Sequence, residues 1–469
     1  MLIASPQFEA ACRILTTLRK NGFDAYLAGG CVRDLLLGHP PKDYDVATSA
    51  TPDVVLRLFP RTFSVGAHFG VVLVCSGDGS KADQDADAVS ADSESRSLAQ
   101  VITEVATFRS DGAYSDGRRP DAVRYTVSAE EDVQRRDFTV NGLLLDPLQI
   151  PSDLHSAVID HVGGIADLER GVVRAIGRAD LRFEEDHLRM LRGVRFAARL
   201  GFELEAKTAV AMRQLAAKSA LVSRERVRDE LTKMLTEGCA RQAFEMLDAT
   251  GLLAEVLPEI ARMKGVEQPP QYHPEGDVWV HTLGLLQQLE AGTPLVLAWG
   301  ALLHDVGKPA TFRRAERIRF DGHVEVGVAM SAEICRRFRF SNDETRQILA
   351  LVENHMRFGD APRMKASTLK RFFQLEEFPQ HLELHRMDCL AGSGNLDHWN
   401  FAREHYLSMP AEVVRPKPLI TGRELIAAGY TPGAGFREML HVVEDAQLEG
   451  RIHSEEEAMC LVRQLYPIL

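Results

Sequence analysis

The first 170 residues alternate short runs of β-branched residues with helical stretches. The successive segments are DAYLAGG, VRDLLLG, KDYDVAT, HFGVVLVC and VITEVATFR. This alternation is typical of an α/β domain, so we predict one that extends to about residue 170. The segment GDGSKADQDADAVSADSESRS interrupts the pattern and is acidic, rich in small residues and nearly free of large apolar ones. We predict that this segment, at about residues 77–99, is a disordered insert between two strands.

From about residue 180 the hydrophobic period becomes helical. In LRFEEDHLRMLRGVRFAARLGF the apolar residues that share one stripe are Leu188, Leu191, Val194, Phe196 and Ala198. The arginines of this segment fall on other faces, including Arg195. Helices are then predicted to continue to the C-terminus through ERVRDELTKMLTEG and ARQAFEMLDATGLL. The prolines Pro269, Pro270 and Pro274 indicate a break before a second helical domain.

Length and charge narrow the class of protein. A chain of 469 residues is too long for one ordinary core, which predicts two to four domains. A net charge of -12 argues against a general nucleic-acid coat, yet the dense arginines between Arg174 and Arg228 leave room for a local basic track. We see no apolar run of about 20 residues and no secretory signal, and therefore expect no membrane span. The seven scattered cysteines contain no CxxC pair, which indicates reduced thiols and a cytoplasmic protein.

The segment LAGGCVRDLLLGHPPKDYDVATSA carries candidate phosphate-binding chemistry. A strand is predicted to end at Gly29 and Gly30, whose missing Cβ atoms let backbone N–H groups approach a triphosphate. A helix that begins near Val32 would direct its positive end at the same anion. Arg33 could then add a charge-assisted hydrogen bond to a phosphate oxygen. By itself, a Gly-Gly pair before a helix is more often a simple tight turn.

Asp43 and Asp45 add a second kind of chemistry. Because they are spaced i, i+2 on a predicted strand, both carboxylates project from one face. Adjacent carboxylates repel each other and usually need cations. Glu104, in the later strand VITEVATFR, is a credible third ligand. Three carboxylates around two Mg²⁺ ions suit in-line nucleotidyl transfer, whereas the simpler interpretation is a solvated strand end.

These motifs resemble those of the class II nucleotidyltransferases, which comprise the CCA-adding enzymes and bacterial poly(A) polymerases. GGCVRDLLLG…PKDYDVAT resembles their motif A, FRSDGAYSDGRRPDAV their flexible loop, RRDFTVNGLLLDP their motif B, and FEEDHLRMLRGVRFAARLGFELE their base-selecting motif and neck helix. The resemblance covers roughly residues 20–240. It implies a polymerase-β-like head and the transfer of nucleotides from CTP and ATP to a tRNA 3′ end.

The ED-x-x-R arrangement explains how bases could be chosen without a template. On one helix Asp186 and Arg189 would be i, i+3 neighbours facing a single ligand, with Glu185 beside them. An ionised Asp only accepts and an Arg only donates hydrogen bonds. Cytosine and adenine each offer an amine beside an unprotonated ring nitrogen, whereas uracil and guanine present the reverse pattern. The pair would therefore accept C and A and reject U and G; the ordinary alternative is a surface salt bridge.

Further roles follow from the resemblance. It assigns Asp137 to the ribose 2′-OH and Arg136 to the nucleotide phosphates. Arg192 and Arg195, farther along the neck helix, would meet the triphosphate or the RNA backbone. The pair RR at positions 118 and 119 is either a set of loop contacts or two exposed turn arginines.

A second metal constellation follows in the helical half. His304 and Asp305 stand within an apolar helix, where both polar side chains are costly to bury unless something coordinates them. With His281 upstream and Asp388 downstream, they resemble the H…HD…D set of HD-domain phosphohydrolases. His323 and His355 resemble the additional ligands found in two-metal members of that family.

Imidazole and carboxylate ligands suit Mn²⁺, Fe, Ni²⁺ or Mg²⁺ without selecting among them. We therefore expect a divalent metal in the HD domain. Lys308 either contacts a phosphate or caps a helix end. The resemblance implies phosphatase or 2′,3′-cyclic phosphodiesterase activity.

We thus predict an α+β chain with a polymerase-β-like head at residues 1–170, followed by helical domains. These are a neck and RNA-binding region at 171–265, an HD domain at 273–395 and a helical tail at 396–469. The predicted function is CCA addition to tRNA. Poly(A) synthesis and A-only or CC-only addition stay open, although the flexible loop and the ED-x-x-R motif favour full CCA addition. The alternative of another class is an HD phosphohydrolase with an inactive RNA- or nucleotide-binding head.

Overall fold

The computed structural model describes residues 5–63, 70–76, 101–112, 123–149 and 154–468. The predicted acidic insert and the arginines at positions 118 and 119 lie outside these residues. The chain folds as two compact units, one formed by Met1–Met234 with Gln242–Val256 and the other by Leu235–Arg241 with Leu257–Leu469. The finer division into four domains stays a prediction.

The first unit contains most of the strands. They are β1 Ala25–Ala28, β2 Val46–Thr48, β3 Thr62–Phe63, β4 Val71–Ser76, β5 Val101–Thr107, β6 Arg109–Asp111, β7 Val123–Tyr125, β8 Leu143–Leu145, β9 Val158–Asp160, β10 Val172–Val173 and β11 Glu203–Leu204. Seven of them form one sheet in the order β3-β4-β5-β2-β1-β8-β9. Within this sheet only β2 and β5 pair in parallel, and the remaining neighbours are antiparallel.

Helices cover and extend this sheet. They are α1 Pro6–Lys20, α2 Gly30–Leu36, α3 Pro52–Leu58, α4 Ala129–Gln134, α5 Gly164–Arg170, α6 Ala179–Glu185, α7 Leu188–Leu200, α8 Ala206–Leu215, α9 Arg224–Thr236, α10 Ala240–Ala249 and α11 Leu252–Val256. Short 3-10 helices are formed by Thr139–Asn141, Pro147–Gln149, His155–Ala157 and Ala216–Leu221. Helix α1 packs its buried apolar side against β1, β2 and β5.

The second unit is almost entirely helical. Its helices are α12 Pro258–Ala261, α13 Val278–Leu286, α14 Leu295–Leu303, α15 Lys308–Thr311, α16 His323–Arg337, α17 Asn342–Asn354, α18 Ala366–Phe373, α19 Phe378–Ala391, α20 Asp397–Ser408, α21 Ala411–Val414, α22 Gly422–Ala427, α23 Gly435–Leu448 and α24 Glu455–Leu465. One long 3-10 helix spans His355–Arg363, and the short strands β12 Arg313–Arg314 and β13 Ile318–Arg319 form a hairpin. Helices α13, α14, α17 and α19 pack against one another, and Trp299 of α14 is fully buried.

The predicted α+β class is confirmed, with three local corrections. The helix expected near Val32 begins at Gly30. The neck is not one continuous helix, because α6 ends at Glu185 and α7 begins at Leu188. The helical half also contains short strands: β11 pairs in parallel with β10, and β12 pairs with β13.

The apolar stripe predicted along α7 is buried, since Leu188, Leu191, Val194, Phe196 and Ala198 all lie in the core. Arg195 was expected on another face and is buried too, because it pairs with Glu230 of α9 through a 2.6 Å contact. A buried charge of this kind requires such a partner. In the described part of the chain, every helix is too short or too polar to cross a membrane.

Candidate active site and metal centre

Three carboxylates lie on one face of the sheet in the first unit. Asp43 and Asp45 immediately precede β2 and alternate with the buried Tyr44. This alternation follows from the two-residue period of extended backbone. The parallel pairing of β2 with β5, in which Val46 lies opposite Val105, places Glu104 beside Asp45. All three carboxylates were predicted from the sequence, and strand pairing accounts for the position of Glu104 beside Asp45.

Burial and the neighbouring negative charges perturb the ionisation of Asp45 and Glu104. The pKa of the Asp45 carboxyl is raised to about 6, because neighbouring groups shield it from water and the charges of Glu104 and Asp43 repel its own. The pKa of Glu104 is raised by the same shielding and by Asp43. Arg136 opposes both shifts. Oxygen ligands that repel one another are the donor set that Mg²⁺ prefers.

The carboxylates are near one another without forming one tight cluster. Among the described residues, the oxygens of Asp43, Asp45 and Glu104 are not all within 4.8 Å of one another. A shared ion would therefore require these side chains to rotate toward it. The residue types and their common face fit Mg²⁺. The three carboxylates would take up their coordinating positions only on binding the ion.

The backbone conformation at Gly29 favours glycine, and a neighbouring arginine leaves little room for a side chain there. Gly29 has a φ of +75°, which residues with a side chain rarely adopt. A Cβ at this position would lie 3.2 Å from Nη1 of Arg136. Gly30 follows as the first residue of α2. The turn thus brings the backbone of Gly29 close to the guanidinium of Arg136.

Arg33 does not project freely from α2. Its guanidinium is buried and donates to Oδ1 of Asp34 at 2.8 and 2.6 Å. It also donates to Oδ1 of Asn141 at 2.6 Å. Arg33 reaches the site as part of this fixed network, which the sequence did not reveal because Asn141 is 108 residues away.

A cavity of about 680 Å³ opens beside these residues. It is lined by ten basic and five acidic side chains among the described residues, so it is locally positive in a chain with a net charge of -12. The predicted residues that line it are Gly29, Gly30, Arg33, Asp43, Asp45, Arg136, Asp137, Asp186, Arg189, Arg192 and Arg195. Glu104 and Glu185 lie outside its lining. An excess of positive charge in a concave site suits a triphosphate.

The sequence did not single out several basic residues of this cavity. They are Lys42, Arg135, Arg199, Arg226 and Lys233. The signal for Arg199 was present, because Arg192 and Arg199 are seven residues apart and share one side of α7. No local spacing could have identified Arg226 and Lys233, because they come from α9 and enter the site only through tertiary packing.

The two residues predicted to select the base are arranged differently from the expected i, i+3 helical pair. Asp186 is an extended residue between α6 and α7. One of its oxygens accepts from the backbone N–H of Leu188 at 3.0 Å, and Arg226 donates to both oxygens at 3.3 and 2.7 Å. Asp186 is therefore oriented by α9 and by the start of α7, and it lines the cavity together with Arg189.

Arg189 is held by three acceptors. Its guanidinium pairs with Glu185 and donates to the backbone oxygens of Arg182 at 3.1 Å and Arg135 at 3.2 Å. These contacts use three of the five N–H donors of an arginine. Glu185 thus orients the arginine from behind, which is consistent with its position outside the cavity lining.

Asp137 and Arg192 form an ion pair at the cavity wall. Arg192 donates to Oδ2 of Asp137 at 2.9 Å, while Oδ1 of Asp137 accepts from the backbone N–H of Phe138 at 2.8 Å. Although burial alone would raise the pKa of Asp137, its contacts with Arg192 lower it overall. The carboxylate is therefore ionised and available as a hydrogen-bond acceptor. Its predicted ribose contact stays a prediction.

A separate cluster in the second unit brings all six predicted metal ligands together. One group contains His281, His304 and Asp388, and another contains Asp305, His323 and His355. Within each group the ligand atoms are all within 4.8 Å of one another. Asp305 connects the groups, since its carboxylate is 3.2 Å from Nε2 of His304 and 3.7 Å from Nε2 of His355.

Three of the four histidines present lone pairs rather than N–H groups to this cluster. Nδ1 of His304 donates to the oxygen of Ala301 at 2.9 Å, and Nδ1 of His355 donates to that of Val352 at 2.6 Å. His323 is anchored in the same way by Phe320 at 2.9 Å. In each case Nε2 is buried and has no hydrogen-bond partner in the described part of the molecule. Buried, unpartnered acceptors that converge fit a divalent metal.

Two further features support this fit. Burial lowers the pKa of His355 to about 4, which keeps the imidazole in the neutral form that binds metals. Gly307 lets the chain pass close behind the ligands, because a Cβ there would lie 2.1 Å from the backbone oxygen of His323.

Lys308 does not cap the C-terminal end of a helix, and its phosphate contact stays a prediction. It is buried at the start of α15, with Nζ 2.6 Å from Oδ2 of Asp305 and 2.7 Å from Oε1 of Gln268. Lys308 still lines a cavity of about 630 Å³ together with the ligands Asp305, His323, His355 and Asp388. Arg317 and Arg319 from the hairpin contribute additional positive charge to that cavity.

Three family models match the chain. They describe the poly A polymerase head domain at residues 25–174, a probable RNA and SrmB-binding site of polymerase A at residues 201–264, and the HD domain at residues 278–388. The crystal structure of Bacillus stearothermophilus CCA-adding enzyme in complex with CTP is similar, with a TM-score of 0.71 and 27% identity over 98% of both chains.

Curated relatives agree with these matches. A CCA-adding enzyme of Geobacillus thermodenitrificans is 41% identical over 55% of this chain and 56% of that protein, so this match spans little more than half of the relative's length. A CCA-adding enzyme of Geobacillus stearothermophilus is 37% identical over 96% of this chain and 95% of that protein. On the strength of this nearly full-length match and the head, RNA-binding and HD regions, the chain belongs to the family of CCA-adding enzymes, which are tRNA nucleotidyltransferases.

Proposed function

We propose that this enzyme adds C, C and A to the 3′ end of tRNA from CTP and ATP. The observation that carries the proposal is the single cavity in which the Asp43–Asp45 pair, a positive lining and the Asp186–Arg189 pair meet. The relatives named as CCA-adding enzymes and the solved complex with CTP support the same substrates. The absence of a disulfide among the seven cysteines agrees with our proposal of a cytoplasmic enzyme.

In the proposed reaction, the 3′-OH of the tRNA attacks the α-phosphorus of the bound nucleotide. A phosphodiester forms, the bond to the β-phosphate breaks, pyrophosphate leaves with its electron pair and the proton of the 3′-OH is released to solvent. Asp43 and Asp45, with Glu104 beside them, would hold Mg²⁺, which when bound lowers the pKa of the 3′-OH and neutralises the triphosphate.

The other residues position the nucleotide. Arg136 and Arg192 line the cavity and can each contribute charge-assisted hydrogen bonds to the phosphates. For Arg192 this would require a partial exchange of its contact with Asp137, which would free a carboxylate oxygen for the ribose 2′-OH. Asp186 can accept from the base amine while it keeps Arg226, because a carboxylate has about four acceptor sites. Arg189 would donate to the unprotonated ring nitrogen.

The test is incorporation by the purified enzyme on tRNA transcripts that lack CCA or end after CC, and on a generic oligoribonucleotide. Each of the four nucleotides is supplied singly and in mixture with Mg²⁺. We expect two C and one A on tRNA, followed by arrest. Long A tracts on the generic RNA would instead indicate a poly(A) polymerase, and C without A, or A without C, would indicate a partial enzyme. No incorporation on any RNA would leave the HD domain as the main activity.

We also propose that the HD domain hydrolyses phosphate esters as a metal-dependent phosphatase or 2′,3′-cyclic phosphodiesterase. In this step water adds to phosphorus, the P–O ester bond breaks and the leaving oxygen takes a proton. The four histidines and two aspartates would hold the metal, which supplies an activated water and stabilises the developing charge. Imidazole ligands favour a transition metal such as Ni²⁺, Mn²⁺ or Fe over Mg²⁺.

Replacing His304 with alanine, or Asp305 with alanine, is expected to abolish this hydrolysis while CCA addition continues. Each change removes a buried ligand, and Asp305 contributes to both ends of the cluster. Hydrolysis of 2′,3′-cyclic AMP and of p-nitrophenyl phosphate would be measured with Ni²⁺ or Mn²⁺. His453→Ala, which removes an exposed histidine, is the matched control. Hydrolysis that persists in both ligand variants would contradict the assignment.

A further inference from the structure

One histidine of the metal cluster is oriented differently from the other three. His304, His323 and His355 each use Nδ1 to donate to a backbone oxygen. In contrast, Nδ1 of His281 lies 2.7 Å from Oε1 of Glu275. His281 is completely buried, so its contact with this carboxylate lies in the interior of the unit rather than at the surface. Neither the sequence motif nor the six-ligand set includes Glu275.

The carboxylate of Glu275 determines which nitrogen of His281 keeps its proton when the ring binds a metal. An ionised Glu can only accept hydrogen bonds, so Nδ1 of His281 must be the donor. Its Nε2 faces the cluster and donates to Oδ1 of Asp388 at 3.0 Å. A divalent ion that took both groups as ligands would replace the proton on Nε2, while Nδ1 would keep its proton for Glu275. The hydrogen bond to Glu275 therefore prepares Nε2 as a metal ligand.

The segment before α13 fixes Glu275 in place. Asp277 caps α13 by accepting from the backbone N–H of Val280 at 2.8 Å, and its other oxygen accepts from that of Gly265 at 2.6 Å. Between the two acids, Gly276 has a φ of +128°, a conformation that favours glycine. The same Oε1 of Glu275 also accepts from Nδ1 of His273 at 2.9 Å. The turn before α13 and the two imidazoles therefore hold Glu275 in position.

We propose that Glu275 is a positioning residue of the HD metal centre, which fixes the tautomer of His281 and strengthens it as a ligand. The inference rests on the proposed metal-dependent function of this domain. A carboxylate behind a ligating histidine raises the basicity of the imidazole, and removing such a partner typically costs about 10- to 100-fold in metal affinity. A backbone oxygen, as used by the other three histidines, polarises the ring less.

A different arrangement of the same residues must be distinguished from this one. His273, Glu275 and His281 could together hold an additional metal, because their ligand atoms are also within 4.8 Å of one another. That arrangement would require His281 to bind one ion through Nδ1 and another through Nε2, with no proton on the ring. The hydrogen-bond distances from Glu275 to both imidazoles favour the positioning role, and metal stoichiometry separates the two.

The experiment is calorimetric titration of the metal-free, full-length enzyme with Ni²⁺, which prefers imidazole to the all-carboxylate site of the head. We expect Glu275→Gln to weaken the histidine-site affinity by about 10-fold and Glu275→Ala by up to about 100-fold. The number of ions bound should not change in either variant or in His273→Ala. Glu333→Gln, which alters an exposed carboxylate of α16 in the same unit, is the control and should bind like the unmodified enzyme.

Thermal unfolding with and without Ni²⁺ separates positioning from a structural role. A positioning role shrinks the Ni²⁺-induced rise in Tm for Glu275→Gln, since that rise follows metal affinity. A purely structural role would lower Tm equally in both conditions and overturn the inference. In a His281→Ala background, Glu275→Gln should have no further effect on affinity.

The two proposals fail in different ways. If Glu275→Ala binds Ni²⁺ as tightly as the unmodified enzyme, the inference is wrong and the metal centre stands. If His273→Ala loses one bound ion, Glu275 belongs to a third metal site and the inference is also wrong. If the unmodified enzyme shows no histidine-site binding at all, the proposed metal centre fails, and the role of Glu275 fails with it.

Discussion

Replacing Asp45 with asparagine is expected to lower nucleotide incorporation by at least about 10³-fold, equivalent to about 4 kcal/mol of transition-state stabilisation. The physical reason is that the amide removes a negatively charged oxygen from the group that would hold Mg²⁺ beside Asp43 and Glu104. The arginines of the cavity are untouched, so nucleotide should still bind and kcat should fall more than KM. Steady-state incorporation of CTP and ATP into tRNA measures both parameters.

The thermal stability of the Asp45→Asn variant distinguishes a loss of catalysis from misfolding. The pKa of Asp45 is raised in the folded chain, to about 6, so above that pH its ionised form costs stability relative to the unfolded chain. Neutral asparagine removes this cost, and the metal-free variant should therefore melt no lower than the unmodified enzyme. Asp53→Asn, which changes an exposed carboxylate of α3 in the same unit, should retain full activity. An active Asp45→Asn enzyme would remove Asp45 from the proposed mechanism.

Replacing Arg189 with alanine is expected to reduce the preference for C over U by on the order of 10²-fold in kcat/KM, because unpaired polar groups are what reject the wrong base. Without the guanidinium, the unprotonated ring nitrogen of cytosine loses its donor, while the ring N–H of uracil no longer faces another donor. Asp186→Ala removes the complementary acceptor and should weaken discrimination of A from G. Single-nucleotide incorporation with each of the four nucleotides measures the ratios.

Two further arginine variants test whether Arg189 acts on base selection. Arg213→Ala removes an exposed arginine of α8 in the same unit and should leave the four ratios unchanged. Arg226→Ala removes the side chain that holds Asp186, so it should weaken selection without abolishing incorporation. If Arg189→Ala lost activity equally for all four nucleotides, the arginine would be a phosphate or RNA contact rather than a base-selecting residue.

The two proposed metal sites differ in ligand type. The head offers carboxylates only, which suits Mg²⁺ and triphosphates, whereas the HD cluster combines four imidazoles with two carboxylates. Because these ligand sets differ in softness, an enzyme exposed to both kinds of ion can direct each to its own unit. Ni²⁺ titration and Mg²⁺-dependent incorporation therefore report on different sites of the same molecule.

Local periodicity in the sequence predicted which side chains share a face in several elements of this protein. The two-residue period of extended chain places Asp43 and Asp45 on one side, and the helical period predicts the buried stripe of α7; both are found in the structure. These features are local, because the repeat of the backbone decides which side chains share a face. The motif order that links the head to the HD domain was likewise visible without coordinates.

Only the tertiary structure decided the partners of these residues. Glu104 lies beside Asp45 because β2 pairs in parallel with β5, and Asp186 is oriented by Arg226 across a break between two helices. Arg195 is buried because Glu230 of α9 faces it. No local pattern contains such information, since a strand neighbour or a buried counter-charge depends on how distant segments pack. The sequence therefore determined which chemistry the chain carries, and packing decided which side chains hold that chemistry in place.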